Sequence, residues 1–308
     1  MLGIRPLTLR PPPRLAFAPR RSVVPQHARM SFTKDTRTRL RDGHEIPIIG
    51  FGTYQITGRD AYNATKWALE AGYRHVDSAE WYSNEPEVGR AIQDFCTASG
   101  TPRAEVYYTT KLQTNRSRAD ALEHAHGCLD ACGLGHIDLF LLHSPIGGPA
   151  ARLDAWRGAL DARDAGIVKS VGVSNFSVRH LQEMIDAGVE LPAVNQIDLH
   201  PFMTRTDVVG FCKQHDIALE AWAPLVEGMR FRHPTIVKLA KKHGKEPAQI
   251  LLRYSLQKGF IALPKSSKKA RIQSNLNVYD FEIAEAEMAE LDALDEYLIT
   301  DWDPTDTP

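Results

Sequence analysis

Between residues 48 and 278 the hydrophobic period of the chain switches in the same order eight times. A short run rich in β-branched and aromatic residues gives way to an amphipathic stretch of about 10–15 residues. The runs with strand character are 48–53, 74–77, 106–110, 137–143, 168–173, 194–197, 218–222 and 261–264. The stretches with helical character are 60–71, 85–98, 118–132, 153–165, 178–187, 206–215, 235–243 with 248–258, and 269–278. Eight strand–helix pairs in about 270 residues predict an α/β fold, the closed (β/α)8 or TIM barrel. Ahead of them "TRLRDGHEIPIIGFGTY" reads as an N-terminal β-hairpin with Asp42-Gly43 at its turn. An open doubly wound sheet is the competing architecture. It would carry GxGxxG after its first strand, whereas Gly50-Phe51-Gly52 ends without a third glycine.

Charge divides the chain in two. Residues 1–29 hold Arg5, Arg10, Arg14, Arg20, Arg21, Arg29 and six prolines, and no acid. Without those six cations, 31 basic residues face 38 acidic ones, a body near −7. Such a body gives no electrostatic case for nucleic acid. No apolar run approaches a membrane span. The expected organisation is a leader over 1–30 and one barrel over 31–308. The leader suits a plastid or mitochondrial transit segment, a disordered tail, or a true start at Met30; without targeting, the protein is cytoplasmic. The four cysteines lack zinc-site spacing, so no metal is expected.

In such barrels the chemistry sits where strands end, at the carboxyl-terminal face. In "GYRHVDSAEWYSNE" the second strand ends at Asp77 and Tyr82 follows in the loop. The third strand exits at Lys111, and the fourth, an apolar run, at His143. A free phenol, with a pKa near ~10, exchanges protons poorly at neutral pH. An ammonium beside Tyr82 favours its phenolate and lowers that pKa. Asp77 can hold Lys111 charged and aimed, and His143 can hydrogen-bond and orient a substrate carbonyl. The four together can protonate a carbonyl oxygen while a hydride reaches its carbon. None of them can supply the hydride, so a cofactor is required. After the last strand, "LPKSSKKARIQSN" places Lys265, Lys268, Lys269 and Arg271 within seven residues with no acid among them. Such a run suits a ribose phosphate.

These residues together resemble the aldo-keto reductase superfamily from Thr36 to Asp303. The resemblance is carried by "GYRHVDSAEWYSNE", "TTKL", "LLHSP", "GVSNF" with "NQIDLHP", and "LPKS" with "RIQSN". It implies a barrel that binds NADPH/NADP+ without a Rossmann domain, and a catalytic set of Tyr82, Asp77, Lys111 and His143 with Tyr82 as acid. It further implies that Ser174, Asn175 and Gln196 hold the nicotinamide carboxamide and that Trp222 stacks on the ring. Lys265, Ser266 and Arg271 then clamp the 2′-phosphate, and Asn275 contacts adenine. Ser274 stands where an acid commonly meets adenine, Ser144 where many relatives have tryptophan, and Trp222-Ala223 where Tyr-Ser is common.

The function expected is reduction of small aldehydes, and of ketones as a second class, to alcohols by an NADP-dependent oxidoreductase working as a monomer. Tyr54, Trp81 and Trp302 are the candidate aromatic walls for a small carbonyl substrate, with His143 between wall and chemistry. The alternative is a cofactor-bound regulatory subunit built on the same barrel.

Overall fold

Backbone hydrogen bonds close a ring of strands. The computed structural model describes residues 32–308. A hairpin, β1 (Arg37–Arg39) and β2 (Glu45–Pro47), precedes eight parallel strands. They are β3 (Phe51–Gly52), β4 (His75–Asp77), β5 (Tyr107–Leu112), β6 (Ile137–Leu142), β7 (Val168–Ser174), β8 (Val194–Asp198), β9 (Ala218–Trp222) and β10 (Ile261–Ala262). They pair in chain order from β3 to β10. The ends meet through Gly50 N to Ala262 O (2.8 Å), Ala262 N to Ile48 O (3.0 Å) and Gly52 N to Pro264 O (3.1 Å). The barrel is therefore closed.

Helices return the chain after each strand. They are α1 (Gly58–Ala71), α2 (Glu85–Ser99), α3 (Arg118–Cys132), α4 (Pro149–Asp164), α5 (Val178–Asp186), α6 (Thr206–Gln214), the pair α7 (Pro234–His243) and α8 (Pro247–Gln257), α9 (Lys269–Asn275) and α10 (Glu285–Asp292). Four details differ from the sequence reading. The fourth helix begins at Pro149 and not at 153, because proline fits the first helical turn. That shortens the loop after β6. The third strand continues through Lys111 to Leu112. The helix expected over 269–278 stops at Asn275, and α10 was not anticipated. Only Glu287 and Leu291 of α10 are buried, too little for a periodic signal. The leader expected over 1–30 lies outside the described residues.

Strand parity sorts the side chains. Val76, Tyr108, Phe140, Leu142, Val171, Val173, Leu219 and Ala221 face outward and share one core with Ile92, Ala125, Trp156 and Leu181 of the helices. Inward-facing Tyr107, Leu139, Leu141, Val194 and Ile261 pack against Leu40 and Ile46, so the hairpin plugs one end of the barrel. The same parity carries His75 and Asp77, Thr109 and Lys111, Ser174, Gln196, and Glu220 with Trp222 toward the other end. Among the described residues, no helix is long and apolar enough to cross a membrane.

One glycine fixes the spacing of two helices. A Cβ on Gly89 in α2 would stand 1.9 Å from the carbonyl oxygen of Cys132 at the end of α3. Alanine is the better helix former by about 1 kcal/mol, yet the clash is with backbone and needs the two helices to part. We expect Gly89→Ala to destabilise by about 1–3 kcal/mol. A thermal melt should show this as a Tm loss of several degrees; a rise in Tm would show that the helices separate freely.

Candidate active site

Lys111 is the centre of the site. Its side chain has no exposed surface. The ammonium donates to Asp77 Oδ1 (2.7 Å), to the backbone oxygen of Ser78 (2.7 Å) and to Tyr82 Oη (3.3 Å). Asp77 and Lys111 come from adjacent strands, β4 and β5. Tyr82 sits on a single 3-10 turn, Glu80–Tyr82, just beyond β4. The "SNE" that follows Tyr82 holds this turn in place. Asn84 Nδ2 donates to the backbone oxygens of Thr53 (3.0 Å) and Ile56 (2.7 Å), while its Oδ1 accepts from Ser78 Oγ (2.6 Å). Glu85 is buried under α2 and accepts from Tyr108 Oη and Thr110 Oγ1. Asn84, Glu85 and Ser78 thus fix the loop that carries the tyrosine.

The electrostatics correct one expectation. Burial works against the Lys111 charge, but the Asp77 carboxylate and the Tyr82 hydroxyl outweigh it and hold the ammonium above its ordinary pKa. Tyr82 moves the other way from the expectation. Lys111 does pull its phenol down, yet burial is larger and Asp77 adds to it, so Tyr82 is pushed up to about 12. The phenol therefore keeps its proton at neutral pH. His143, one residue past β6, is driven well below the usual imidazole value by burial and then by Lys111, and is neutral. Its ring lies 5.6 Å from that of Tyr82 and 5.1 Å from that of Trp81, centroid to centroid.

A second group forms the adjacent wall. Ser174 Oγ donates to the backbone oxygen of Gln196 (2.9 Å), and Asn175 Nδ2 donates to the backbone oxygen of His143 (3.1 Å). Trp222 Nε1 donates to Asn175 Oδ1 (2.9 Å). Asn175 takes a left-handed backbone, φ 62°, which asparagine tolerates better than most residues. Gln196 Nε2 lies 2.9 Å from Asp77 Oδ2 and 2.9 Å from Glu220 Oε2. Reading only the last residue of each strand overlooks Glu220, two positions before Trp222. Its signal was a carboxylate on the inward parity of a buried strand.

Both groups open into one cleft of about 1140 Å³. Its lining includes Tyr82, His143, Tyr54, Trp81 and Trp302, and the stretch after β10 adds Lys265, Ser266, Lys268, Arg271 and Asn275. Lys269, grouped with these cations in the sequence, turns away and meets Glu70 at 3.9 Å. Among the described residues, Lys265, Lys268 and Arg271 have no carboxylate within 4.0 Å. Ser274 Oγ donates to Glu246 Oε2 (3.1 Å), which brings an acid to this end of the cleft from a different helix. Tyr54 Oη donates to Asp301 Oδ2 (3.1 Å), and Trp302 meets Trp81 edge-on at 5.9 Å, so the C-terminal segment completes the aromatic wall. Among the described residues, no cluster of His, Cys, Asp and Glu is placed to hold a metal ion.

Comparison with known proteins identifies the family of the chain. A family model described as the aldo/keto reductase family matches residues 48–296. An uncharacterized oxidoreductase of Schizosaccharomyces pombe is 41% identical over 271 residues, 88% of this chain and 98% of that protein. A 9,11-endoperoxide prostaglandin H2 reductase of Trypanosoma cruzi is 39% identical over 262 residues, 83% of this chain and 90% of that one. The crystal structure of a Bombyx mori aldo-keto reductase in complex with NADP superposes with a TM-score of 0.81 at 33% identity, covering 86% of this chain and 94% of the other. With its closed barrel, its buried Asp–Lys–Tyr contact and these relatives, the chain is an oxidoreductase that belongs to the aldo/keto reductase family.

Proposed function

We propose that the protein reduces small aldehydes, and ketones as a second class, to alcohols with NADPH. The observation that carries this reading is the buried Lys111 ammonium, bonded at once to Asp77 and to Tyr82, beside a cleft also lined by cations that have no carboxylate within 4.0 Å among the described residues.

The donor set fits the cofactor. Three cations with no carboxylate within 4.0 Å among the described residues, beside Ser266, match a phosphate ester, and a bidentate guanidinium at Arg271 suits a dianion. Asn175, Ser174 and Gln196 present amides and a hydroxyl at the chemical end, where a carboxamide would sit, and Trp222 offers a flat face beside them. When bound, NADPH supplies a hydride to the carbonyl carbon.

The residues of the chain supply the rest. Tyr82 donates the proton that the carbonyl oxygen takes up as its π pair moves onto oxygen. A phenol of high pKa is fully protonated at neutral pH, and the alkoxide it meets is far more basic still. Lys111 stabilises the phenolate left behind, and Asp77 keeps that lysine charged and aimed. Neutral His143 offers a hydrogen bond to the same oxygen without competing for the proton. Trp81, Tyr54 and Trp302 wall one side of the cleft and favour flat or short carbonyl compounds.

We expect Tyr82→Phe to keep NADPH binding and the fold while turnover falls about 10²–10⁴-fold. A steady-state assay on a reactive aldehyde checks this, and a kcat near wild type would remove Tyr82 from the role. No turnover on any aldehyde or ketone in wild type would instead favour the regulatory-subunit alternative.

Charge-assisted contacts to phosphate contribute about 1.5–3 kcal/mol each. Lys265→Ala combined with Arg271→Ala should therefore weaken NADPH by about two to four orders of magnitude and leave NADH nearly unchanged. Equal losses for both cofactors in a binding titration would contradict the assignment.

The loop after β6 spans only residues 143–148 before α4. Such short loops bury little of a large ligand, so remote binding energy is not available to the transition state. Glyoxal-like, glyceraldehyde-like and simple aromatic aldehydes should exceed steroid ketones in kcat/KM by at least about tenfold, a gap of about 1.4 kcal/mol. A direct comparison under one set of conditions decides, and a clear steroid preference would refute the small-substrate reading.

A further inference from the structure

Two carboxylates and one amide meet inside the barrel just below the site, and only one carboxylate has a cation. Asp77 is bonded to Lys111. Glu220, wholly buried on β9, is not; its Oε2 accepts from Gln196 Nε2 at 2.9 Å, the same nitrogen that donates to Asp77. An atom lying 2.9 Å from two carboxylates must be the donor nitrogen, so both Gln196 hydrogens are used. The only polar atom left to Gln196 for the cleft is its carbonyl oxygen, an acceptor.

The groups facing Glu220 can be named element by element. From β4 come Asp77 and His75, whose Nε2 lies 3.8 Å from Glu220 Oε1. From β5 come Lys111 and Tyr107, whose charges couple to Glu220, and from β8 comes Gln196. On β10 its register partner is apolar Ile261. Arg37 and Asp138 reach His75 only as longer-range charges. His75 cannot serve as the missing cation. Burial lowers it to about 3, so it is neutral, and its Nε2 is engaged with Thr109 Oγ1 at 2.9 Å. Glu220 Oε1, His75 Nδ1 and Tyr107 Oη are buried with no hydrogen-bond partner among the described residues.

We propose that Glu220 is a positioning residue for the nicotinamide end of the site, holding the Gln196 amide together with Asp77 and placing a negative charge behind it when its own proton is lost. The inference rests on the cofactor reading above and goes beyond it. Two buried carboxylates beside one ammonium cannot both ionise without cost. Burial, and then the Asp77 charge, push Glu220 up to about 8. Below that pH the carboxyl is neutral and acts only through its hydrogen bond to Gln196. Above it, one uncompensated negative charge lies behind the residue proposed to hold the carboxamide. Reduced nicotinamide is neutral and oxidised nicotinamide is cationic, so the ionised form favours NADP+ over NADPH.

The test is a fluorescence titration of NADPH and NADP+ against the full chain from about pH 6.5 to about 9.5. In wild type the ratio of the NADP+ to the NADPH Kd should fall several-fold, with its midpoint near 8. Glu220→Gln keeps an acceptor for Gln196 and cannot ionise. It should bind NADPH at the lower pH within about threefold of wild type and show no step in the ratio. Glu220→Leu leaves a buried N–H unpaired and should weaken both cofactors by about tenfold or more. A purely structural Glu220 would leave the pH step in place. The inference is overturned if Glu220→Gln retains the step, if wild type has none, or if Glu220→Leu binds as wild type does. If neither cofactor binds to wild type, the cofactor reading itself fails and this inference falls with it.

Discussion

The contact on which the rest of the site depends is the ion pair between Lys111 and Asp77, made where neither group has water. Removing two charges from solvent costs several kcal/mol per ion, and their attraction recovers this only in good geometry with the remaining donors satisfied. Here two further acceptors, the Ser78 carbonyl and the Tyr82 hydroxyl, complete the three donors of the ammonium. Such a pair is weak evidence for stability, since an apolar pair of similar size would cost the fold less. Its value lies in fixing where the Tyr82 oxygen stands and in keeping a positive charge beside it. That the phenol still sits at about 12 shows burial outweighing the lysine in the free protein.

The barrel makes this arrangement possible by parity. Inward positions near the hairpin are filled by Leu40, Ile46, Leu139 and Leu141, which close the floor. The same alternation carries polar groups upward along several strands at once, ending in Asp77, Lys111, Ser174, Gln196 and Trp222. Space had to be left for them. A Cβ on Gly50 would stand 2.6 Å from His75 Nδ1, so this glycine makes room for the imidazole beneath the site. In the sequence the "GFG" of residues 50–52 shows only that the third glycine of a dinucleotide fingerprint is missing.

The eightfold alternation was legible because period 2 and period 3.6 rarely trade places so regularly by chance. The strand-end residues Asp77, Lys111 and His143 stood out because each closes a successive strand at the same end of the barrel, His143 after an apolar run. Other features left weaker traces. Helix α10 buries too few residues to show a period. Glu220 sits inside a strand, and a reading confined to strand ends passes over it. The direction of the Tyr82 shift was not legible at all, since it depends on how completely the phenol is enclosed, and enclosure is a tertiary property. Likewise nothing in "KSSKKAR" tells that Lys269 leaves the group while Lys265, Lys268 and Arg271 remain in the cleft.

The two ends of the cleft are built from different materials, and they differ in what a substitution costs. The chemical end is dry and rigid; Lys111, Asp77, Gln196 and Glu220 are all buried and share one hydrogen-bond network. Truncating one member to an apolar side chain leaves a buried charge or donor without a partner, which costs about 1–3 kcal/mol or more. The proposed phosphate end consists of long, exposed side chains, Lys265 and Lys268 on the loop after β10 and Arg271 in the first turn of α9, each free of carboxylate partners among the described residues. A substitution there removes one contact and strands nothing. A substitution at the proposed phosphate end can therefore change the contacts to a dinucleotide phosphate without disturbing the buried network around Lys111. The Ser274–Glu246 contact fits this pattern. Glu246, the cap of α8, brings a carboxylate to Ser274 at that end of the cleft.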